Sequence, residues 1–203
     1  MTLANRLTIS RLLFAAAAFV CIIMEGPGPK IAALALFIVA SLTDWLDGKI
    51  ARQTGTVTQF GAIADPFVDK ILVLAAFLAF ASLKTLEVPL WAVFLIMARE
   101  LMISSLRVLA ALQGIMMSAE RAGKLKTVAQ YCACYLILAI LVARELSVPA
   151  AGPLAQHMRL IANLTRTWPY LLTVLTMIVT VISGIIYLRT HWSVLTNSWS
   201  VKK

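Results

Sequence analysis

Acidic residues are scarce in this chain and confined to few places. Only nine of its 203 residues are Asp or Glu, and the four aspartates, Asp44, Asp47, Asp65 and Asp69, all fall within one short window. Charged residues of either sign make up 13% of the sequence, about half the share of an average soluble domain. The two histidines, His157 and His191, are far from each other and from the aspartates in sequence, so no histidine-based metal site is expected. The three cysteines, Cys21, Cys132 and Cys134, sit in apolar runs. Cys132 and Cys134 are two apart on a predicted helix, hence point in different directions, and packing is the expected role of all three. No repeat or low-complexity tract is evident. Lys and Arg outnumber the acids 18 to 9, yet they form no long basic tract outside the apolar segments. That argues against a nucleic-acid partner and for loop cations that set orientation and touch anionic lipid.

What is abundant is hydrocarbon. The chain is 61% hydrophobic, with a mean hydropathy of +0.90, beyond the usual soluble range. It reads as an integral membrane protein with one domain, residues 1–203, and no separate soluble part. The first apolar run lacks a convincing cleavage motif and is expected to be a span, not a signal peptide. Predicted spans are Leu7–Met24, Ile31–Leu46, Phe67–Leu83, Val88–Leu112, Val128–Ala143 and Trp168–Leu188. Gly26-Pro27-Gly28-Pro29, Pro89, Pro149 and Gly152-Pro153 divide them, and Leu154–Thr167 reads as a partly amphipathic connection. The expected fold class is all-α, a polytopic bundle of about six transmembrane helices. With the N-terminus cytoplasmic, Arg6, Arg11, Lys49, Arg52, Lys70, Arg107, Arg121, Lys124, Lys126, Arg189, Lys202 and Lys203 fall on that side. Lys30, Lys84, Arg144, Arg159 and Arg166 fall opposite. This bias predicts both termini and the aspartate window on the cytoplasmic face.

A carboxylate at the centre of a membrane helix costs roughly 2.5–3.5 kcal/mol on insertion scales. Four close together repel unless cations neutralise them. Asp44 and Asp47 are three apart, Asp65 and Asp69 four apart, so on helices each pair shares a face. Two adjacent helices can therefore converge all four on one pocket for one or two Mg²⁺ ions, or Mn²⁺, leaving positions for substrate phosphates. Gly48, Ala51 and Gly61 leave room for a bulky ligand, and Arg52, four residues after Gly48, can grip a phosphate. A charged helix end at the membrane surface would explain either pair alone, but not the whole constellation.

These residues carry a resemblance. Asp44-Trp-Leu-Asp47-Gly48-Lys-Ile-Ala51-Arg52, eight residues, Gly61, three residues, Asp65, three residues and Asp69 resembles the signature of the CDP-alcohol phosphotransferases. The segment Asn5-Arg6-Leu7-Thr8-Ile9-Ser10-Arg11 is similar to that family's opening Asn-x-x-Thr-x-x-Arg. The resemblance implies transfer of a phosphatidyl or related group from a CDP-linked lipid to an alcohol, with release of CMP. It implies metal binding by Asp44, Asp47, Asp65 and Asp69 as a two-ion site, and a general-base role for Asp69. Gly48, Ala51, Arg52, Thr58 and Gly61 would hold or make room for the CDP part, helped by Asn5 and Thr8. It also implies a homodimer in a bacterial inner membrane. The residues suit the chemistry on their own terms: a diphosphate must be neutralised before an alcohol attacks it, and a nearby carboxylate can accept the proton.

For the acceptor, Ala98-Arg99-Glu100-Leu101, Ser104-Ser105-Leu106-Arg107 and Gly123-Lys124-Leu125-Lys126-Thr127 are informative. Arg99 and Glu100 lie in an apolar run, where ionisable groups are functional candidates unless they simply pair with each other. Arg107, Lys124 and Lys126 are the expected acceptor-binding residues, and positive-inside orientation is the alternative account of them. The pattern is similar to that of the bacterial phosphatidylglycerophosphate synthases, which implies CDP-diacylglycerol and glycerol 3-phosphate as substrates. Serine, inositol phosphate or phosphatidylglycerol as acceptor stays open, as does, from a different class, a cation transporter.

Overall fold

The computed structural model describes residues 3–54, 59–112, 121–147 and 152–192, with side chains described for 10–43, 70–111, 123–147 and 156–192 except Met158. All regular structure among them is helical. The order is α1 (Leu3–Ile23), α2 (Pro27–Thr54), α3 (Gln59–Ser82), a 3-10 turn (Lys84–Leu86), α4 (Leu90–Leu112), α5 (Arg121–Ser147), α6 (Gly152–Leu164) and α7 (Trp168–Thr190). The six apolar runs predicted as spans fall on helices α1–α5 and α7. The amphipathic connection is itself a helix, α6, whose 13 residues are too few to cross a bilayer.

Two boundaries differ from expectation. The second helix runs past Leu46 to Thr54, and the third begins at Gln59, well before Phe67. Hydropathy marks where hydrocarbon stops, whereas a helix continues as long as its backbone bonds close, and Ala, Arg, Lys and Gln all sustain it. Both aspartate pairs consequently lie within helices.

Gly26 makes the α1–α2 reversal possible with φ +95°, a left-handed conformation open to glycine. Pro27 opens α2 with its pre-set φ. Buried Lys30 donates its Nζ to the Ile22 carbonyl at the end of α1, satisfying an orphan acceptor at the negative end of that helix. In the bundle, α1 packs on α2 and α3, α3 also on α4 and α5, and α5 on α2, α6 and α7, with α7 closing against α4. Ile22, Phe37, Phe77, Phe80, Ile96, Ile137 and Leu138 form the apolar core.

The opposite side of the bundle is polar inside and apolar outside. α7 buries Thr173, Thr176, Thr180, Ser183, Gly184 and Tyr187 along one stripe, and exposes Leu171, Leu175, Ile178, Ile182 and Ile186. This inverts the water-soluble pattern and is how helices pack in lipid, small and polar residues inward. Among the described residues, two helical stretches, Gly123–Ser147 and Trp168–Thr190, are long and apolar enough to cross a membrane. α4 has comparable length but carries Arg99, Glu100 and Arg107 within it. Cys134 is buried and Cys132 exposed, pointing apart as the spacing predicts, and both are free thiols.

Candidate active site

Counted along the helices, the aspartates fall at two matched distances from the α2–α3 connection. Asp44 lies ten residues before the end of α2 and Asp69 ten after the start of α3, each about 15 Å from the connection at 1.5 Å per residue. Asp47 and Asp65 lie seven and six residues from it, or about 10 Å and about 9 Å. Gly48, Ala51 and Arg52 follow on α2, and Gly61 precedes on α3. On α1, Asn5 stands 18 residues before the reversal, and Asp44 stands 17 beyond the start of α2. Both are therefore about 26 Å from that turn, and Thr8 lies one turn nearer. The side chains of all these residues, and Thr58 entirely, lie outside the described ones. The donor set suits a hard cation: four carboxylates in matched register on two consecutive helices supply only oxygen.

Beyond Asp69 on α3 the side chains are described, and they form part of a cationic chamber. A cavity of ≈ 420 Å³ is lined by Lys70, Arg99, Arg107, Lys124 and Lys126, with Glu100 the sole carboxylate among the described lining residues. Its walls come from α3, α4, α5 and α7. The three residues expected to bind an acceptor, Arg107, Lys124 and Lys126, share this cavity. Lys70 of this cavity follows Asp69 directly on α3.

Glu100 organises the chamber. It is 1% exposed, and its Oε1 accepts from Lys126 Nζ, from Arg99 Nη1 at 3.1 Å and from Gln130 Nε2 at 3.2 Å. Lys70 Nζ stands 3.5 Å from Oε2 and donates to Ser104 Oγ. Ser104 Oγ in turn donates to the Glu100 carbonyl at 2.8 Å. The Arg99–Glu100 charge pair considered from sequence exists, but as part of this wider cluster. A carboxylate so deeply buried is tolerable because several cations and an amide compensate it.

The polar stripe of α7 completes the walls. Arg99 Nη2 donates to Ser183 Oγ at 3.0 Å, and Gln130 Nε2 to Thr180 Oγ1 at 3.3 Å. Arg107 Nε donates to Tyr187 Oη at 3.2 Å, with the guanidinium carbon 5.2 Å from the ring centroid. Sequence reasoning counted Lys70 only as a topology marker and passed over Gln130, Ser183 and Tyr187. A signal was present: Thr173, Thr176, Thr180, Ser183 and Tyr187 recur at steps of three and four through an otherwise apolar segment.

The far end of the bundle is pinned separately. Arg144 donates to the Thr85 carbonyl at 2.8 Å, to that of Thr165 at 3.0 Å and to that of Arg166 at 3.2 Å. Arg166 pairs with Glu87 at 3.0 Å. Lys70, Arg107, Lys124 and Lys126, assigned to one side by sequence, thus lie in one cluster, and Arg144 and Arg166, assigned to the other, in a second.

Comparison with known proteins gives the family. The CDP-alcohol phosphatidyltransferase family profile matches residues 1–168. The chain is 40% identical over 112 residues to a CDP-diacylglycerol--glycerol-3-phosphate 3-phosphatidyltransferase of Bacillus subtilis, covering 55% of this chain and 57% of that relative. It is 35% identical over 156 residues to a probable phosphatidylglycerophosphate synthase of Mycobacterium tuberculosis, covering 75% and 68%. It is 36% identical over 167 residues to a CMP-forming cardiolipin synthase of Oryza sativa, covering 76% and 50%. The match thus spans little more than half of the Bacillus relative and half of the rice one. With the profile covering most of its length, the chain belongs to the CDP-alcohol phosphatidyltransferase family.

Proposed function

We propose that this protein transfers the phosphatidyl group of CDP-diacylglycerol to sn-glycerol 3-phosphate, giving phosphatidylglycerol phosphate and CMP. The observation that carries the reading is the cationic chamber beginning at Lys70, the residue after Asp69. A phosphorylated acceptor needs cations at one end, which the chamber offers, and a base near its hydroxyl, the role we give Asp69. The names of the Bacillus and Mycobacterium relatives support the same acceptor.

Arg107 and Lys124 hold the acceptor phosphate, with Lys126 fixed by Glu100 behind them. The primary hydroxyl gives its proton to Asp69, and its oxygen attacks the phosphorus that carries the diacylglycerol. The bond from that phosphorus to the CMP oxygen breaks, and CMP leaves with the electron pair. Asn5, Thr8, Gly48, Ala51, Arg52, Thr58 and Gly61 hold the CDP part. Asp44, Asp47, Asp65 and Asp69 would bind two Mg²⁺ or Mn²⁺ ions, which neutralise the diphosphate when bound.

We place the protein in a bacterial inner membrane as a homodimer, with α1–α5 and α7 as spans and the chamber facing the cytoplasm. There the acyl chains stay in lipid while nucleotide and acceptor stay wet. The deciding assay is CMP release by purified protein with CDP-diacylglycerol and Mg²⁺. Glycerol 3-phosphate, serine, inositol phosphate, phosphatidylglycerol and no acceptor are compared. Release with glycerol 3-phosphate alone is expected. Release with another acceptor would move the substrate and keep the reaction, whereas none with any acceptor would revive ion transport.

A further inference from the structure

Helix α6 has two exposed faces of opposite character. Leu160, Ile161 and Leu164 are exposed, and so are Gln156, Arg159 and Asn163. At about 100° per residue the three aliphatic positions share one arc of the helix and the three polar ones another. His157 falls within the apolar arc, where the imidazole, itself amphipathic, is tolerated beside a headgroup. The helix also packs on α5. Exposure on a polar face and on an apolar face together suits the boundary between water and hydrocarbon better than either medium alone.

The level of α6 in the bundle is fixed by its neighbours. Arg144, three residues before the end of α5, holds the carbonyls of Thr165 and Arg166, which follow α6, and that of Thr85, in the turn before α4. Trp168 then opens α7 and Trp91 stands second in α4, both exposed, as tryptophans are at a bilayer edge. Trp192, also exposed, lies just beyond the other end of α7. At helical rise the 24 residues from Trp168 to Trp192 cover about 36 Å. That sets one tryptophan at each edge of a hydrocarbon core of about 30 Å. Leu164, the last residue of α6, comes four residues before Trp168, at the edge remote from the aspartates.

We infer that α6 is an interfacial helix lying in that remote membrane surface, with Leu160, Ile161 and Leu164 seated among the upper acyl carbons and Arg159 directed to lipid phosphates. The inference rests on the membrane placement proposed above and extends it to the α-helix too short to span. Two observations commit the apolar face to lipid and not to a second copy of the chain. The exposed apolar stripe of α7 begins at Leu171, seven residues after Leu164, so the lipid-facing surface continues from one helix to the next. Three aliphatic side chains, moreover, fall well short of the roughly 800 Å² per partner that a standard protein interface buries.

The test uses the native protein in vesicles of phosphatidylethanolamine and phosphatidylglycerol containing a phospholipid with a diazirine on one acyl chain. The diazirine stands near the ester in one preparation and at the methyl end in the other. On illumination it loses N₂, and the carbene inserts into a neighbouring C–H or N–H bond, so that labelled residues can be read by mass spectrometry. Leu160, Ile161 and Leu164 should be labelled at least about threefold more by the shallow probe than by the deep one, as a face sunk only to the upper acyl chain requires. Gln156 and Asn163 should escape both, and Ile178 and Ile182 of mid-α7 should favour the deep probe.

Labelling of α7 but not of α6 would overturn the inference, because the face would then lie in water or against protein. Equal labelling of α6 by the two probes would overturn it too, as would labelling of Gln156 and Asn163 to the level of Leu160. Labelling of neither helix would overturn the membrane placement itself, a result distinct from the other three. No variant has to fold for any of these outcomes to be read.

Discussion

Gly184 of α7 lies directly against the side chain of Arg99 on α4: a methyl group at 184 would come within 2.9 Å of Arg99 Cγ and 3.1 Å of its Nε. The approach lets Arg99 run along α7 and reach both Ser183 and Glu100. Because the clash falls on the stem of the side chain, rotation of the guanidinium alone cannot relieve it. Gly184→Ala should displace Arg99 and cost about 1–3 kcal/mol, the usual range for overpacking. A lowered thermal midpoint in detergent, with a raised KM for glycerol 3-phosphate, is the expected outcome. An unchanged midpoint would mean that the helices separate freely here.

Lys124 and Lys126 line the same cavity but should respond differently. Lys126 is buried and paired with Glu100, whereas Lys124 is exposed. Lys126→Met should destabilise the fold by about 3–5 kcal/mol by leaving a buried carboxylate short of a partner. Lys124→Ala should leave the thermal midpoint nearly unchanged and raise the acceptor KM roughly tenfold, equivalent to about 1.4 kcal/mol of phosphate binding. Thermal unfolding and acceptor titration on both variants separate the two roles.

Asp69→Asn should reduce CMP release by roughly 10²–10⁴-fold, the usual contribution of a positioned base, and more if a metal is lost with it. CDP-diacylglycerol should still bind to the variant when assayed by displacement of a labelled nucleotide. Chelation should abolish release in the native protein, and Mg²⁺ or Mn²⁺ should restore it. Full activity after exhaustive chelation would sink the metal assignment.

At the far end, Arg144 ties α5 to the carbonyls of Thr85, Thr165 and Arg166. Arg144→Ala strands these acceptors and should cost about 1–3 kcal/mol of stability. The acceptor KM should not move, because no atom of the chamber is touched. A change in acceptor KM would show that the two ends are coupled.

Helical class, the positions of the apolar helices and the aspartate pattern were legible in the linear chain. Hydrocarbon runs, helix breakers and residue spacing are local properties that need no partner to express them. The spacing of Asp44, Asp47, Asp65 and Asp69 predicts shared faces because a helix has a fixed period. Helix ends were less legible: α2 and α3 continue into polar sequence that hydropathy does not follow.

The organisation of the chamber was decided only by tertiary structure. Arg107, Lys124 and Lys126 could be singled out as cations, but nothing local says that Lys70 and Tyr187 close the same space. Nor does composition reveal that Glu100 gathers Lys126, Arg99 and Gln130 on one oxygen. Those relations depend on how α3, α4, α5 and α7 pack. That packing is set by a glycine that admits an arginine, and by a polar stripe that must find partners once it leaves water.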